Sequence, residues 1–173
     1  MSAPILFVLG GARSGKSRYA QQRAEALPGD LVYVATAQAF DDEMTARIAH
    51  HRDDRGARWR TVEAPLALAE TVAIETRTDR VLLVDCLTLW ATNLLLADRA
   101  DDEGAQAAEA LVAALAAAAG PVLLVANEVG LGIVPDNPLA RRFRDIAGRI
   151  NQAVAAAAHE VQFIAAGLPL RLK

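Results

Sequence analysis

Residues Gly10 to Ser17 read GGARSGKS and fit the pattern G-x-x-x-x-G-K-[ST]. Every member of this stretch (Gly10, Gly11, Ala12, Arg13, Ser14, Gly15, Lys16 and Ser17) suits one task, the gripping of a polyphosphate. Glycines let the main chain curl until its N–H groups point inward as an anion nest. A helix starting there adds partial positive charge. Lys16 then reaches the β- and γ-phosphates, and the Ser17 hydroxyl ligates Mg²⁺. In a chain of this composition the pattern arises by chance on the order of once in two thousand sequences, before any demand on its context. Lys16 is one of two lysines in a chain whose other basic residues are arginine. A glycine-rich turn without a ligand is therefore the weaker reading.

A nucleotide–metal site needs an acid beside the loop. Asp85 follows the apolar run Val81–Val84, where a carboxylate can hold a metal-bound water next to Ser17. Its competing role is to cap a helix that begins near Thr88. Asn127 and Glu128 follow another apolar run, Val122–Ala126. They could position substrate or γ-phosphate, or simply build a turn with Gly130 and Gly132. His50 and His51 are adjacent in a helical pattern and point about 100° apart, so they cannot readily share a metal. They are either exposed polar residues or a nucleophile, since neutral imidazole can attack phosphorus. Arg13 could touch phosphate or substrate. Arg141, Arg142, Arg144 and Arg149 read as a solvated helix face, and Trp59 and Trp90 as core.

These residues need a scaffold, and five apolar runs supply it: Ile5–Leu9, Leu31–Ala35, Val81–Val84, Val122–Ala126 and Val161–Ala165. They are apolar throughout, which marks a parallel sheet covered on both faces. Helical patterns lie between them: Ser17–Leu27, Asp41–Asp53, Pro65–Thr76, Thr88–Ala97, Asp102–Ala119 and Pro138–His159. The tail Leu168–Leu172 could add an edge strand. This alternation predicts an α/β fold, a RecA-like P-loop NTPase with a mainly parallel sheet. One catalytic domain is expected over residues 1–173.

Composition narrows the class. Of 173 residues 53% are hydrophobic and 23% charged, enough core to fold and too little charge for disorder. A net charge of -3 gives no general affinity for nucleic acid or acidic membranes. Ala110–Asn127 is uncharged, but Gly120 and Pro121 interrupt it, so no membrane insertion is expected. A single cysteine, Cys86, precludes an internal disulfide and suits a reducing, cytoplasmic compartment. The start of the chain shows no signal-peptide pattern.

The chain resembles the bifunctional adenosylcobinamide kinase/adenosylcobinamide-phosphate guanylyltransferase family of cobalamin assembly. The resemblance runs nearly end to end, through GGARSGKSRYA at Gly10–Ala20 and VATAQAFDDEMTARIAHHR at Val34–Arg52. It continues in WRTVEAP at Trp59–Pro65, LLVDCLTLWATNLL at Leu82–Leu95 and NEVGLGIVPDNPLARRFRDIAGRINQ at Asn127–Gln152. It implies phosphorylation of the aminopropanol hydroxyl of adenosylcobinamide by ATP or GTP. Transfer of GMP from GTP to that phosphate follows, through a GMP–histidine intermediate whose nucleophile matches His50. It also implies that Val34, Ala35 and Thr36 lie beside the nucleotide, and that His51, Arg52, Asp53 and Asp54 line the guanine nucleotide site. Glu63 and Asp85 match acidic positions of that site, although Glu63 also reads as an exposed loop acid. A homotrimer is implied as well. Two other readings fit the loop: a small-metabolite P-loop kinase without nucleotidyl transfer, and a non-catalytic nucleotide switch.

Overall fold

The computed structural model describes residues 3–38, 58–97 and 102–173. The helix expected over Asp41–Asp53, with His50, His51, Arg52, Asp53 and Asp54, lies outside the described residues. The described elements run β1 (Ile5–Gly10), α1 (Lys16–Glu25), β2 (Asp30–Ala35), β3 (Trp59–Glu63), α2 (Leu68–Glu75) and β4 (Arg80–Asp85). After these come α3 (Leu87–Leu96), α4 (Asp102–Ala116), β5 (Val122–Asn127), α5 (Pro138–Ala157), β6 (Glu160–Ala165) and β7 (Leu168–Arg171).

The seven strands form one sheet in the order β3-β2-β4-β5-β1-β6-β7. Six are parallel, and β7 alone runs antiparallel, on β6. All five apolar runs are strands, and the tail is the expected edge strand. β3 was not among the expected strands. Its residues Trp-Arg-Thr-Val-Glu alternate with period 2, as a half-exposed edge strand should, whereas the expected strands are continuously apolar runs. Glu63 therefore ends a strand and is not a loop acid, though it is exposed. The helix expected from Pro65 starts at Leu68, and the one expected to reach Ala119 stops at Ala116, ahead of Gly120. A Cβ at Gly120 would lie 1.9 Å from the Arg77 carbonyl oxygen, so the return into β5 has room only for glycine.

Strand parity sorts the core into two layers. Leu6, Val8, Leu31, Val81, Leu83, Leu123 and Val125 pack with Ala20 and Ala24 of α1 on one face. Ile5, Phe7, Val32, Leu82, Leu124 and Val161 pack on the other, against Leu68, Trp90, Leu111 and Ile150 from α2 to α5. Among the described residues, one helix covers the first face and four the second. α5 is started by Asn137, whose side chain accepts from the N–H groups of Leu139 and Ala140, with Pro138 in the first turn. Trp90 is core, as expected. Its indole donates to the Leu66 carbonyl at 2.9 Å.

α1 is tied to β6 by Arg23, which donates to both carboxylate oxygens of Glu160 at 2.8 and 2.9 Å. These hydrogen bonds, more than the other influences, hold the Glu160 carboxyl at about 2. An unfolded glutamate titrates near 4.3. The pair therefore stabilises the fold above about pH 4.3, and that stability is lost as pH falls toward about 2. The pair is partly exposed, so solvent screening reduces its worth. Glu160→Gln is expected to cost about 1 kcal/mol at pH 7. In urea unfolding the gap from the parent should narrow below pH 4.3, and a gap that does not depend on pH would refute the assignment.

Candidate functional site

The phosphate-binding loop leaves β1 at Gly10 and enters α1 at Lys16. Arg13 has φ 55° and Gly15 has φ 94°, left-handed values that curl the main chain into an arch. Gly15 sits at the helix N-cap, and no side chain caps the helix. The first-turn amides at Lys16, Ser17 and Arg18 consequently have no intrahelical acceptor. No acidic residue occupies that turn, so its positive potential is not offset. Lys16 extends its Nζ to the Gly11 carbonyl oxygen at 3.2 Å, which lays the ammonium across the arch.

Gly10 cannot be replaced without moving main chain. A Cβ there would lie 2.5 Å from Ser14 Oγ and 2.6 Å from the Ile164 carbonyl oxygen. The hydroxyl can rotate away, but the carbonyl belongs to the β6 ladder beside it. Gly10→Ala is expected to cost about 1–3 kcal/mol of stability and to weaken nucleotide binding about tenfold or more, because the arch must shift. Titration calorimetry with GTP checks this, and unchanged affinity would show that the arch tolerates the shift. The C-terminal hairpin buttresses the same arch. The N–H of Gly167, in the turn between β6 and β7, donates to the Ser14 carbonyl at 2.8 Å.

Parity places the other candidates. Gly10 pairs with Asn127 on β5, and Ala35 pairs with both Asp85 and Glu63. By strand alternation Gly10, Ala35, Glu63, Asp85 and Asn127 all point to the face that α1 covers, at the carboxyl edge of the sheet. β5 lies between β1 and β4, so Asp85 sits two strands from the loop, about 10 Å across the sheet. Val34 and Thr36 are different. Both are 0% exposed, and Val34 belongs to the opposite layer. The Thr36 hydroxyl donates to the Cys86 carbonyl at 2.7 Å and accepts from the Cys86 N–H at 2.9 Å. Asn93 donates to the Thr36 carbonyl at 2.7 Å and to that of Pro65 at 2.9 Å. These bonds pin the end of β2 to the start of α3, a role that strand-end position alone did not reveal.

Asp85 and Ser17 are hard oxygen donors and suit Mg²⁺, which takes few protein ligands and completes its shell with water and phosphate oxygens. Among the described residues no cluster of three His, Cys, Asp or Glu could hold a metal by itself. Cys86 is buried, and its thiol is pushed up to about 11 mainly by that burial, so it is no nucleophile. His159 lies at the amino edge of β1, where its Nδ1 accepts from the Ile5 N–H at 3.1 Å. It is a structural histidine, far from the phosphate loop in chain order and at the other end of the strand.

Glu128 follows β5. Its N–H donates to the Gly10 carbonyl at 3.0 Å, and its carboxylate accepts from the Gly130 N–H at 2.5 Å. The segment after it is clamped from α5. Arg144 donates to the carbonyls of Ile133 and Gly130, and Arg141 to those of Pro135 and Asp136. Two arginines expected on a solvated face are therefore loop clamps. They leave Leu131, Ile133 and Val134 exposed at 81%, 96% and 65%, as an apolar rim joined to the phosphate loop through Glu128.

A central parallel strand, a GKS arch at its carboxyl end, a helix starting from that arch and an acid on a nearby strand define a P-loop nucleotide-binding protein. Solved structures agree on the fold. A prototypical ATPase from the type III secretion system of pathogenic bacteria superposes with TM-score 0.57 at 14% identity, covering 97% of this chain and 56% of that one. A protein of Pyrococcus horikoshii OT3 superposes with TM-score 0.59 at 9% identity, covering 100% and 88%. Sequence comparison narrows the class. Residues 6–172 match the family described as cobinamide kinase / cobinamide phosphate guanyltransferase, and the chain belongs to that family. The bifunctional adenosylcobalamin biosynthesis protein CobP of Pseudomonas aeruginosa is 53% identical over 169 residues, covering 96% of this chain and 95% of that protein. The bifunctional adenosylcobalamin biosynthesis protein CobU is 46% identical in both Salmonella typhimurium and Escherichia coli, covering 98% of this chain and 99% of each relative. Among the described residues no helix is long and apolar enough to cross a membrane.

Proposed function

We propose that this chain phosphorylates adenosylcobinamide with ATP or GTP and then transfers GMP from GTP to the resulting phosphate, through a GMP–His50 intermediate. The observation that carries the reading is the Gly10–Ser17 arch with Lys16 laid across it, in a chain that matches the bifunctional family over residues 6–172. The arch amides and Lys16 bind the triphosphate and stabilise the charge that develops as a diphosphate or pyrophosphate leaves. Ser17 and Asp85 would hold Mg²⁺, which would supply positive charge to offset part of that negative charge. A histidine nucleophile divides one displacement between two anions into two easier ones and conserves transfer potential in a phosphoramidate. His51, Arg52, Asp53, Asp54 and Glu63 complete the guanine nucleotide site, and Ala35 offers its main chain at the strand end. We read the assembly as a homotrimer, in keeping with the family resemblance.

Mass spectrometry after incubation with GTP and Mg²⁺ tests the reading. The chain should gain the mass of one GMP on the peptide containing His50 and release pyrophosphate. Phosphorylation of a nucleoside or small metabolite with no such adduct would favour the plain kinase.

The corrinoid is a large acceptor with apolar faces, and the exposed rim of Leu131, Ile133 and Val134 follows Glu128, whose N–H is bonded to the Gly10 carbonyl. Leu131→Ser with Ile133→Ser should raise KM for cobinamide about tenfold, on the scale of two apolar contacts. Adduct formation from GTP alone should hold. Loss of the adduct in this variant would place the rim elsewhere in the mechanism.

A further inference from the structure

The kinase step has an alcohol as its nucleophile, and an alcohol must lose its proton to become an ester. The acids at the carboxyl edge of the sheet stand at different distances from the arch. Glu63 ends β3, four strands from β1, and Asp85 ends β4, two strands away. Glu128 directly follows β5, the strand paired with β1. Its N–H donates to the Gly10 carbonyl at 3.0 Å, so its main chain touches the first residue of the arch.

The Glu128 carboxylate is held and still available. Its Oε1 accepts from the Gly130 N–H at 2.5 Å, and Arg144 fixes the same glycine by donating to its carbonyl at 2.7 Å. That bond occupies one carboxylate oxygen. Among the described residues no other donor bonds the group and no cation pairs with it. Glu128 is partly exposed, so a substrate can reach it. Unlike Asp85, it has no metal to hold. A Cβ at Gly130 would lie 2.8 Å from Glu128 Oε1, so a side chain there would push the carboxylate aside. The exposed rim of Leu131, Ile133 and Val134 follows this turn. Glu128 therefore stands in the chain between the phosphate grip and an apolar surface suited to the acceptor.

We infer that the Glu128 carboxylate, set by the Gly130 N–H, is the base that takes the proton of the acceptor hydroxyl in the kinase step. This rests on the function proposed above. The alcohol oxygen forms its bond to γ-phosphorus, and the bond from γ-phosphorus to the β–γ bridging oxygen breaks. The nucleoside diphosphate leaves with that electron pair. The hydroxyl proton passes to a Glu128 oxygen and from there to solvent. Guanylyl transfer makes no such demand. Its imidazole attacks through a lone pair, and its acceptor is a phosphate monoester that is largely deprotonated at neutral pH. Glu128 is then specific to the first reaction.

The test uses the full chain with ATP and cobinamide and, separately, with GTP and cobinamide phosphate. Glu128→Gln keeps the side-chain length and an oxygen for the Gly130 N–H, but it cannot take a proton. It should lower kcat of phosphorylation about 100-fold. KM for ATP and for cobinamide, the GMP adduct and guanylyl transfer should stay within about threefold. Gly130→Ala, which displaces the carboxylate without removing it, should lower the same kcat about tenfold and leave the urea midpoint unchanged. Phosphorylation by Glu128→Gln within about threefold of the parent overturns the inference. A parallel fall in guanylyl transfer overturns it as well, because Glu128 would then serve the nucleotide or the fold. An unchanged rate in Gly130→Ala overturns the role given to the turn. Absence of both reactions in the parent chain would instead refute the proposed function, so the two failures are distinguishable.

Discussion

His50→Ala should bind GTP and carry no covalent GMP. The parent, incubated with labelled GTP, should carry an acid-labile, base-stable label, as a phosphoramidate does, and the variant none. Guanylyl transfer should fall to background, because removing a nucleophile deletes a covalent step and does not merely weaken a contact. Phosphorylation of cobinamide should persist, since the γ-phosphoryl group passes directly to the alcohol. The adjacent histidine provides the control. His51→Ala should keep the adduct, because the family resemblance matches the nucleophile to His50 and not to its neighbour. An adduct that survives in His50→Ala and disappears in His51→Ala would move the nucleophile by one residue and leave the reaction class intact.

Lys16→Ala should impair both reactions together. The ammonium lies across the arch, 3.2 Å from the Gly11 carbonyl oxygen, where the β- and γ-phosphates of a bound triphosphate would meet it. Deleting one preorganised donor of this kind costs about 10²–10³-fold in rate. The arch amides and the start of α1 remain, so GTP affinity should fall by less than the rates do. Lys16→Arg should not rescue, because a planar guanidinium is longer and forked where the arch fits a compact charge. Single-turnover kinetics of adduct formation and of cobinamide phosphorylation read both effects. Loss of one reaction alone would mean that two separate phosphate sites exist, contrary to the reading of a single arch.

Much of this was legible in the amino-acid order because the signals are local. Continuous apolar runs mark strands buried on both faces, and six of the seven described strands are expected from the sequence, including the edge strand of the tail. The arch from Gly10 to Ser17 is readable because one short loop contains all of it. β3 was overlooked because an edge strand alternates, and only its pairing with β2 makes Trp59–Glu63 a strand. The clamping role of Arg141 and Arg144 on the exposed face of α5 was not legible for a similar reason. Their partners are main-chain carbonyls of a preceding loop, which carry no residue signature.

What the amino-acid order determined by itself is the phosphate grip, the strand–helix alternation and the family, since each depends on residue types at short spacing. Tertiary structure alone decided which distant residues share the face of α1. It put β5 between β1 and β4, so that Asn127 stands between the arch and Asp85. It also buried Val34 on the opposite layer and bound the Thr36 hydroxyl to Cys86. Strand order is set by how helices cover the two faces of the sheet, through contacts far apart along the chain. No local pattern encodes it, and the neighbours of a strand end, which decide its chemistry, follow only from that order.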